Sequence, residues 1–232
     1  MRILIAIQAR TSSARLPRKA FSLIGGRTLM ERVLVPCNSS AKYLRRHGHD
    51  VNVAILCPEG DEIARESWPD TTVLQGDARD VLGRYAKAVV EFRPELVVRI
   101  CGDCPMHEAT VIGKHVSLAV ANGYDYLSNV DPRFRTAIDG VDTEVISSRL
   151  LLDTHERAKD QLDRTHVTTL IRRDPPPWAR IGVVCGFFDL SGIKLSVDTE
   201  EDLERVRQAH ESARAKFQAA VNTFGLRCVH RL

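Results

Sequence analysis

Arg10, Arg15, Arg18 and Lys19 stand beside Thr11, Ser12 and Ser13 in the stretch ARTSSARLPRK (9–19). Four cations among small hydroxyl residues suit an anion. Backbone N–H groups of small residues cradle phosphate oxygens, hydroxyls add donors, and guanidinium and ammonium groups supply charge. The same composition also fits a solvated basic turn. Two aspartates form the second candidate set: Asp103 in CGDCP and Asp198 in SVDTEED. Carboxylates hold hard divalent cations, which relieve negative charge around a reacting phosphorus. Asp103 also fits a tight turn between Gly102 and Pro105. Asp198 also fits a helix N-cap, although Thr199 and Asp202 already spell a capping box that leaves Asp198 free.

Cys101 and Cys104 have the C-x-x-C spacing of redox or zinc sites, with His107 and His115 nearby. Zinc needs a second well-spaced pair, and a redox C-x-x-C opens a helix rather than bracketing GD, so buried small hydrophobes are the preferred reading. His47 and His49 have no partner cluster and read as surface residues at a helix end.

These residues need a scaffold. RILIAI (2–7), VNVAIL (51–56) and ELVVRI (95–100) are short apolar runs that read as strands buried on both faces, typical of a parallel sheet. Between them, Thr28 and Glu31 spell a capping box before LMERVL, and DVLGRYAKAVVEF places Val81, Leu82, Tyr85, Val89 and Phe92 on one helical stripe. The alternation is βαβ with right-handed crossovers, which gives a mostly parallel, three-layer α/β fold. In such a sheet ligands sit beyond the carboxyl ends of the strands, where ARTSSARLPRK and Asp103 both fall. Further along, YDYLSN and TEVIS read as strands flanking a long loop (131–142), an inserted hairpin or arm near 124–147. Residues 148–172 read as helical and RDPPPW breaks them. ARIGVVCGFF and IKLSV return as strands, and a charged amphipathic helix covers about 199–221.

A chain of 232 residues fits one α/β domain, and no repeat or interdomain linker divides it. The net charge of +3 is too small for a nucleic-acid scaffold. No apolar run approaches the roughly 20 residues that span a bilayer. Six scattered cysteines and no secretory pattern lead to the expectation of a reducing cytoplasm. Neither G-x-x-x-x-G-K-[ST] nor G-x-G-x-x-G follows the first strand, so a phosphate-binding loop of another type is expected.

IQARTSSARLPRKAFSLIGGRTLMERV resembles the amino-terminal signature of the cytidylyltransferases that make CMP-activated sugars, most closely the spore coat polysaccharide biosynthesis protein F branch. LQGDARDVLGRYAKAV, VVRICGDCPM, DYLSN, DGVDTEV, THVT and SVDTEEDLERV follow in the family's order over most of the chain. The resemblance implies a Rossmann-like sheet, CTP as donor, Mg2+, a small anionic or hydroxylated acceptor and a homodimer. It makes Arg10, Arg15 and Lys19 the triphosphate-holding groups, with Ala9, Ser12 and Ser13 in the turn, and Asp103 and Asp198 the metal ligands. Asp77 and Arg84 match positions near the nucleotide base, and Arg84 alternatively reads as an exposed helix residue. Asp142, Glu144, Arg164 and His166 match acceptor-side segments. Asp142 and Glu144 alternatively belong to a polar hairpin turn, and His166 to the structural histidines. Two departures stand out. Arg18 replaces the family's Gly before the lysine, so that either the turn differs or an extra cation faces the phosphates, and Thr165 replaces a Glu.

Overall fold

A computed structural model describes residues 1–66, 68, 70–222 and 227–230, with side chains through residue 212. The first strand, β1 (Arg2–Gln8), is the apolar run expected, and its residues 3–7 are all buried. Alternation of side chains across a strand sends Ile3, Ile5 and Ile7 into one core and Leu4 and Ala6 into the other. A short hairpin, β2 (Leu23–Ile24) with β3 (Arg27–Thr28), leads into helix α1 (Leu29–Arg46). The Thr28–Glu31 capping box is formed: the Thr28 hydroxyl accepts from the Glu31 N–H and the Glu31 carboxylate from the Thr28 N–H.

The chain continues through β4 (Asp50–Pro58), β5 (Thr72–Gly76), α2 (Val81–Phe92), β6 (Leu96–Cys101), α3 (Ala109–Asn122), β7 (Tyr126–Ser128) and β8 (Thr143–Ser147). Three short helices follow, α4 (Ser148–Arg157), α5 (Gln161–His166) and α6 (Thr169–Arg173), then β9 (Ile181–Cys185), α7 (Glu200–Asn222) and β10 (Arg227–His230). One eight-stranded sheet has the order β10-β9-β7-β8-β6-β1-β4-β5. β8 and β10 run against the other strands. Residues of α1, α3 and α7 close the core on one face, and residues of α2, α4 and α6 close it on the other.

From β1 the chain crosses to β4 on one side and later returns to β6 on the other. The carboxyl ends of β1 and β6 therefore flank the switch point at which open α/β sheets bind ligands. Gly102 permits the close approach there, because a Cβ at this position would meet the Gln8 carbonyl oxygen at 2.7 Å.

The hairpin expected near 124–147 is present as β7 and β8, but it is built into the sheet between β6 and β9 rather than projecting from it. The helical stretch 148–172 is broken twice. Asp160 caps α5 by accepting from the Asp163 N–H at 2.9 Å, and the Thr168 N–H donates to the His166 carbonyl at 2.6 Å across Val167. IKLSV forms a single bridge, Lys194 to Asp139, rather than a strand. Its backbone is captured by the loop 129–142 at Gly140 (φ +122), where a Cβ would meet the Leu195 backbone at 2.6 Å.

Candidate active site

A cavity of about 280 Å³ opens at the switch point. Its lining includes Ala9, Arg10, Ser13, Arg15 and Lys19 from the opening loop, Arg84 from α2, Asp103 after β6, His166 from α5, and Asp198 before α7. Segments far apart in sequence thus converge at one edge of the sheet.

Lys19 is the hub. Its Nζ donates to Asp103 Oδ2 at 3.2 Å, Asp198 Oδ1 at 3.3 Å and the Val197 carbonyl at 2.6 Å, which uses all three ammonium protons. Asp198 also pairs with Arg15 at 3.1 Å and with Lys194 at 3.6 Å. The capping box at the start of α7 is formed, with the Asp202 carboxylate accepting from the Thr199 N–H and the Thr199 hydroxyl from the Asp202 N–H. Asp198 is therefore not consumed as an N-cap, and its carboxylate faces the cavity cations.

The opening loop is pinned by backbone bonds. The Thr11 carbonyl accepts from the Ser13 N–H at 2.9 Å and the Arg18 N–H at 2.8 Å, and the Thr11 N–H donates to Asp61 Oδ2 at 2.9 Å. Arg18 keeps the left-handed conformation that a glycine would favour (φ 58, ψ 21), at a cost of about 1–2 kcal/mol for an L-residue. Its guanidinium pairs with Glu62 at 2.9 Å and lies over the Phe21 ring, and it is not part of the cavity lining. The backbone at Arg18 thus takes a conformation that suits glycine, and the extra cation points away from the cavity.

Arg84 is buried, with Nη1 donating to the Asp77 carbonyl at 2.6 Å. Its Nε has no partner among the described residues. Burial lowers the guanidinium's pKa from the usual arginine value. Asp77 is exposed and outside the cavity lining; its side chain accepts from the Arg79 and Asp80 N–H groups and shapes the turn before α2. Ser12 is also exposed and outside the lining.

The acceptor-side residues separate. His166 lines the cavity, together with Thr165, the residue standing in place of the family's Glu. Arg164 pairs instead with Asp80 at 3.1 Å, fastening α5 to the N-cap of α2. Asp142 is held by Arg135 at 2.7 Å, and burial, the largest influence, raises its carboxyl pKa. Glu144 is buried in an ionic cluster with Arg99 and Arg172. Burial would raise its carboxyl pKa, but the two guanidinium groups outweigh that and hold it below the usual range. Val167, between His166 and Thr168, has φ 60 and ψ −56, a sparsely populated conformation that costs a β-branched residue about 1–3 kcal/mol.

Sequence reasoning missed Gln8, which also lines the cavity, and Asp61, which anchors the loop; Cys101, read as a buried hydrophobe, is part of the lining as well. Gln8 had a signal, a polar residue closing an otherwise apolar strand. Burial pushes the Cys101 thiol up to about 12 and raises that of Cys104 well above its ordinary value. No group of three or more His, Cys, Asp or Glu among the described residues is arranged to hold a metal. Two carboxylates within 3.3 Å of one cation do fit Mg2+, which takes one or two protein carboxylates and completes its shell with phosphates and water. No helix among the described residues is long and apolar enough to cross a membrane.

A family model described as cytidylyltransferase matches residues 4–221. The chain belongs to the cytidylyltransferase family. It is accordingly a nucleotidyltransferase of a family that uses CTP. It is 26% identical to the spore coat polysaccharide biosynthesis protein SpsF of Bacillus subtilis over 215 residues, covering 91% of this chain and 87% of that one. A cytidylyltransferase from Leptospira borgpetersenii superposes with a TM-score of 0.83 at 25% identity, covering 96% of this chain and 93% of that one. CMP:2-keto-3-deoxy-manno-octonic acid synthetase complexed with CTP superposes with a TM-score of 0.67 at 13% identity, covering 91% and 99%. The latter speaks for the fold alone.

Proposed function

We propose that this cytidylyltransferase transfers CMP from CTP to an oxygen of a sugar acid or related hydroxylated acceptor, with Mg2+. The acceptor oxygen attacks the α-phosphorus of CTP, the bond from that phosphorus to the bridging oxygen breaks, and pyrophosphate leaves. The observation that carries the reading is the Lys19 ammonium between Asp103 and Asp198 in a cavity otherwise rich in guanidinium groups.

Arg10, Arg15 and Lys19 hold the triphosphate, with Ala9, Ser12 and Ser13 shaping the loop around it. Asp103 and Asp198 hold Mg2+, which neutralises charge on the phosphate oxygens. Arg84, its Nε unpartnered and its other end fixed by Asp77, serves the base. His166 meets the acceptor, while Arg164, Asp142 and Glu144 act from behind the cavity wall. No covalent nucleophile is needed, because positioning and charge neutralisation supply most of the acceleration in such transfers. The kinship with a polysaccharide biosynthesis protein supports a surface-polysaccharide precursor as acceptor.

The test is a thermal-shift panel of CTP, UTP, ATP and GTP with and without Mg2+, followed by pyrophosphate release over a set of sugar acids. A ligand at about 100 times its dissociation constant adds roughly 2.7 kcal/mol of stability. A Mg2+-dependent shift selective for CTP is expected; no shift with any nucleotide overturns the donor assignment. Size-exclusion chromatography with light scattering tests the homodimer implied by the resemblance.

A further inference from the structure

Glu144 on β8 stands directly opposite Arg99 of β6 in the sheet register. Its buried carboxylate pairs with Arg99 and with Arg172 Nη1 at 3.2 Å, and it accepts from the Tyr126 hydroxyl and from Thr168 Oγ1 at 2.7 Å. Arg172 Nη1 donates in turn to Thr168 Oγ1 at 2.8 Å. The Thr168 hydroxyl is clamped from both sides, its proton on the carboxylate and a lone pair on the guanidinium. Its backbone N–H then reaches back to the His166 carbonyl at 2.6 Å and closes the turn over Val167.

A β-branched residue at positive φ persists only where its surroundings over-determine it. Here the surroundings are the burial of Val167 itself and the clamp on the next residue. Release of the Thr168 hydroxyl lets the turn relax, and the residue that moves with it is His166, on the cavity wall. The other arm of the cluster leads to the same cavity, because Arg99 Nε donates to Gln8 Oε1 at 3.1 Å and Gln8 also lines it.

We propose that Glu144 is a positioning residue: through Thr168 it holds the strained turn that sets His166 at the cavity wall. The proposal rests on cytidylyl transfer for its meaning in catalysis, and its test is independent of that reading.

Thr168→Val removes the hydroxyl at nearly constant shape, and Thr168→Ser restores it. Histidine-labelled protein reports the ring resonances, with His166→Gln assigning the His166 signals. Thr168→Val is expected to move the His166 signals while those of buried His107 and His115 stay in place; Thr168→Ser is expected to return the wild-type positions. CTP binding in the presence of Mg2+, followed by calorimetry on the same samples, is expected to be unchanged. Unmoved His166 signals in Thr168→Val, with only a lowered melting temperature, overturn the proposal and leave Glu144 a purely structural group. If Thr168→Val does not fold, Thr168→Ala removes the same hydroxyl from Glu144 in a smaller side chain, and the same comparison decides. A wild-type protein that binds no CTP defeats the donor assignment, while the His166 signals still settle the role of Glu144.

Discussion

Replacing Lys19 by methionine keeps the stem and removes the cation. Its ammonium makes three bonds, two of them to carboxylates, and the side chain is only 12% exposed, so solvent screening discounts them little. A hydrogen bond to a charged group contributes about 1.5–3 kcal/mol. If one such bond passes to a phosphate oxygen when nucleotide binds, Lys19→Met weakens CTP by roughly 10- to 100-fold. Stability falls too, because the Val197 carbonyl loses its donor and two carboxylates are left facing each other. They remain about a third exposed, which limits that loss to about 1–3 kcal/mol. Each kcal/mol lowers the melting temperature by about 2–4 °C for a chain of this size. Calorimetric titration of CTP with Mg2+, paired with a melting curve, reads both effects. A folded Lys19→Met protein that binds CTP as the wild type does refutes the assignment of Lys19 to the triphosphate.

Asp103→Asn keeps the fold and abolishes the Mg2+ dependence of CTP binding and turnover; retained Mg2+ dependence removes Asp103 from the metal site. Arg18→Gly leaves CTP affinity unchanged, because that guanidinium is committed to Glu62. Its melting temperature stays near that of the wild type as relief of about 1–2 kcal/mol of strain offsets the lost exposed pair and the added chain entropy. Arg84→Met narrows the difference between CTP and UTP in the thermal-shift panel, and undiminished discrimination excludes Arg84 from base recognition. Burial lowers His107 and His115 to about 4 from the ordinary value near 6.5, so the unfolded chain binds the protons first. Stability from these rings is complete above about pH 6.5 and falls by roughly 1.4 kcal/mol per pH unit for each ring as pH drops toward 4. Urea unfolding at several pH values measures the slope, which His115→Leu is expected to reduce.

The sheet's centre was legible because β1, β4 and β6 are covered on both faces and carry largely apolar runs, interrupted only by Asn52 in β4 and Arg99 in β6. β5 was not, since it is a partly exposed edge strand preceded by Trp68 and Asp70 in a turn-rich stretch. IKLSV has a strand's composition, yet a loop takes its backbone bonds. Within the site, the placement of the opening loop and Asp103 at the ligand edge of the sheet could be read from their positions directly after strands. The direction of Arg18 could not, because it is decided by Glu62, a residue distant in sequence. Glu144 read as an acceptor-side residue or a hairpin polar group and not as a buried ion-pair partner, although the arginine inside the apolar run VVRIC was the available signal: a cation on a buried strand needs an anion across the sheet.

The bond from Lys19 to the Val197 carbonyl joins residues 178 positions apart. Chains are synthesised from the amino terminus, and a nascent chain can only use contacts whose partners have already emerged. The opening loop and Asp103 therefore leave the ribosome long before the segment that carries Val197 and Asp198. During that interval the ammonium lacks two of its three acceptors, and the cavity has no second carboxylate. On the proposed site, the triphosphate-holding loop is made early but its second carboxylate arrives late, so the full set of groups around Lys19 is assembled only when the segment ahead of α7 docks.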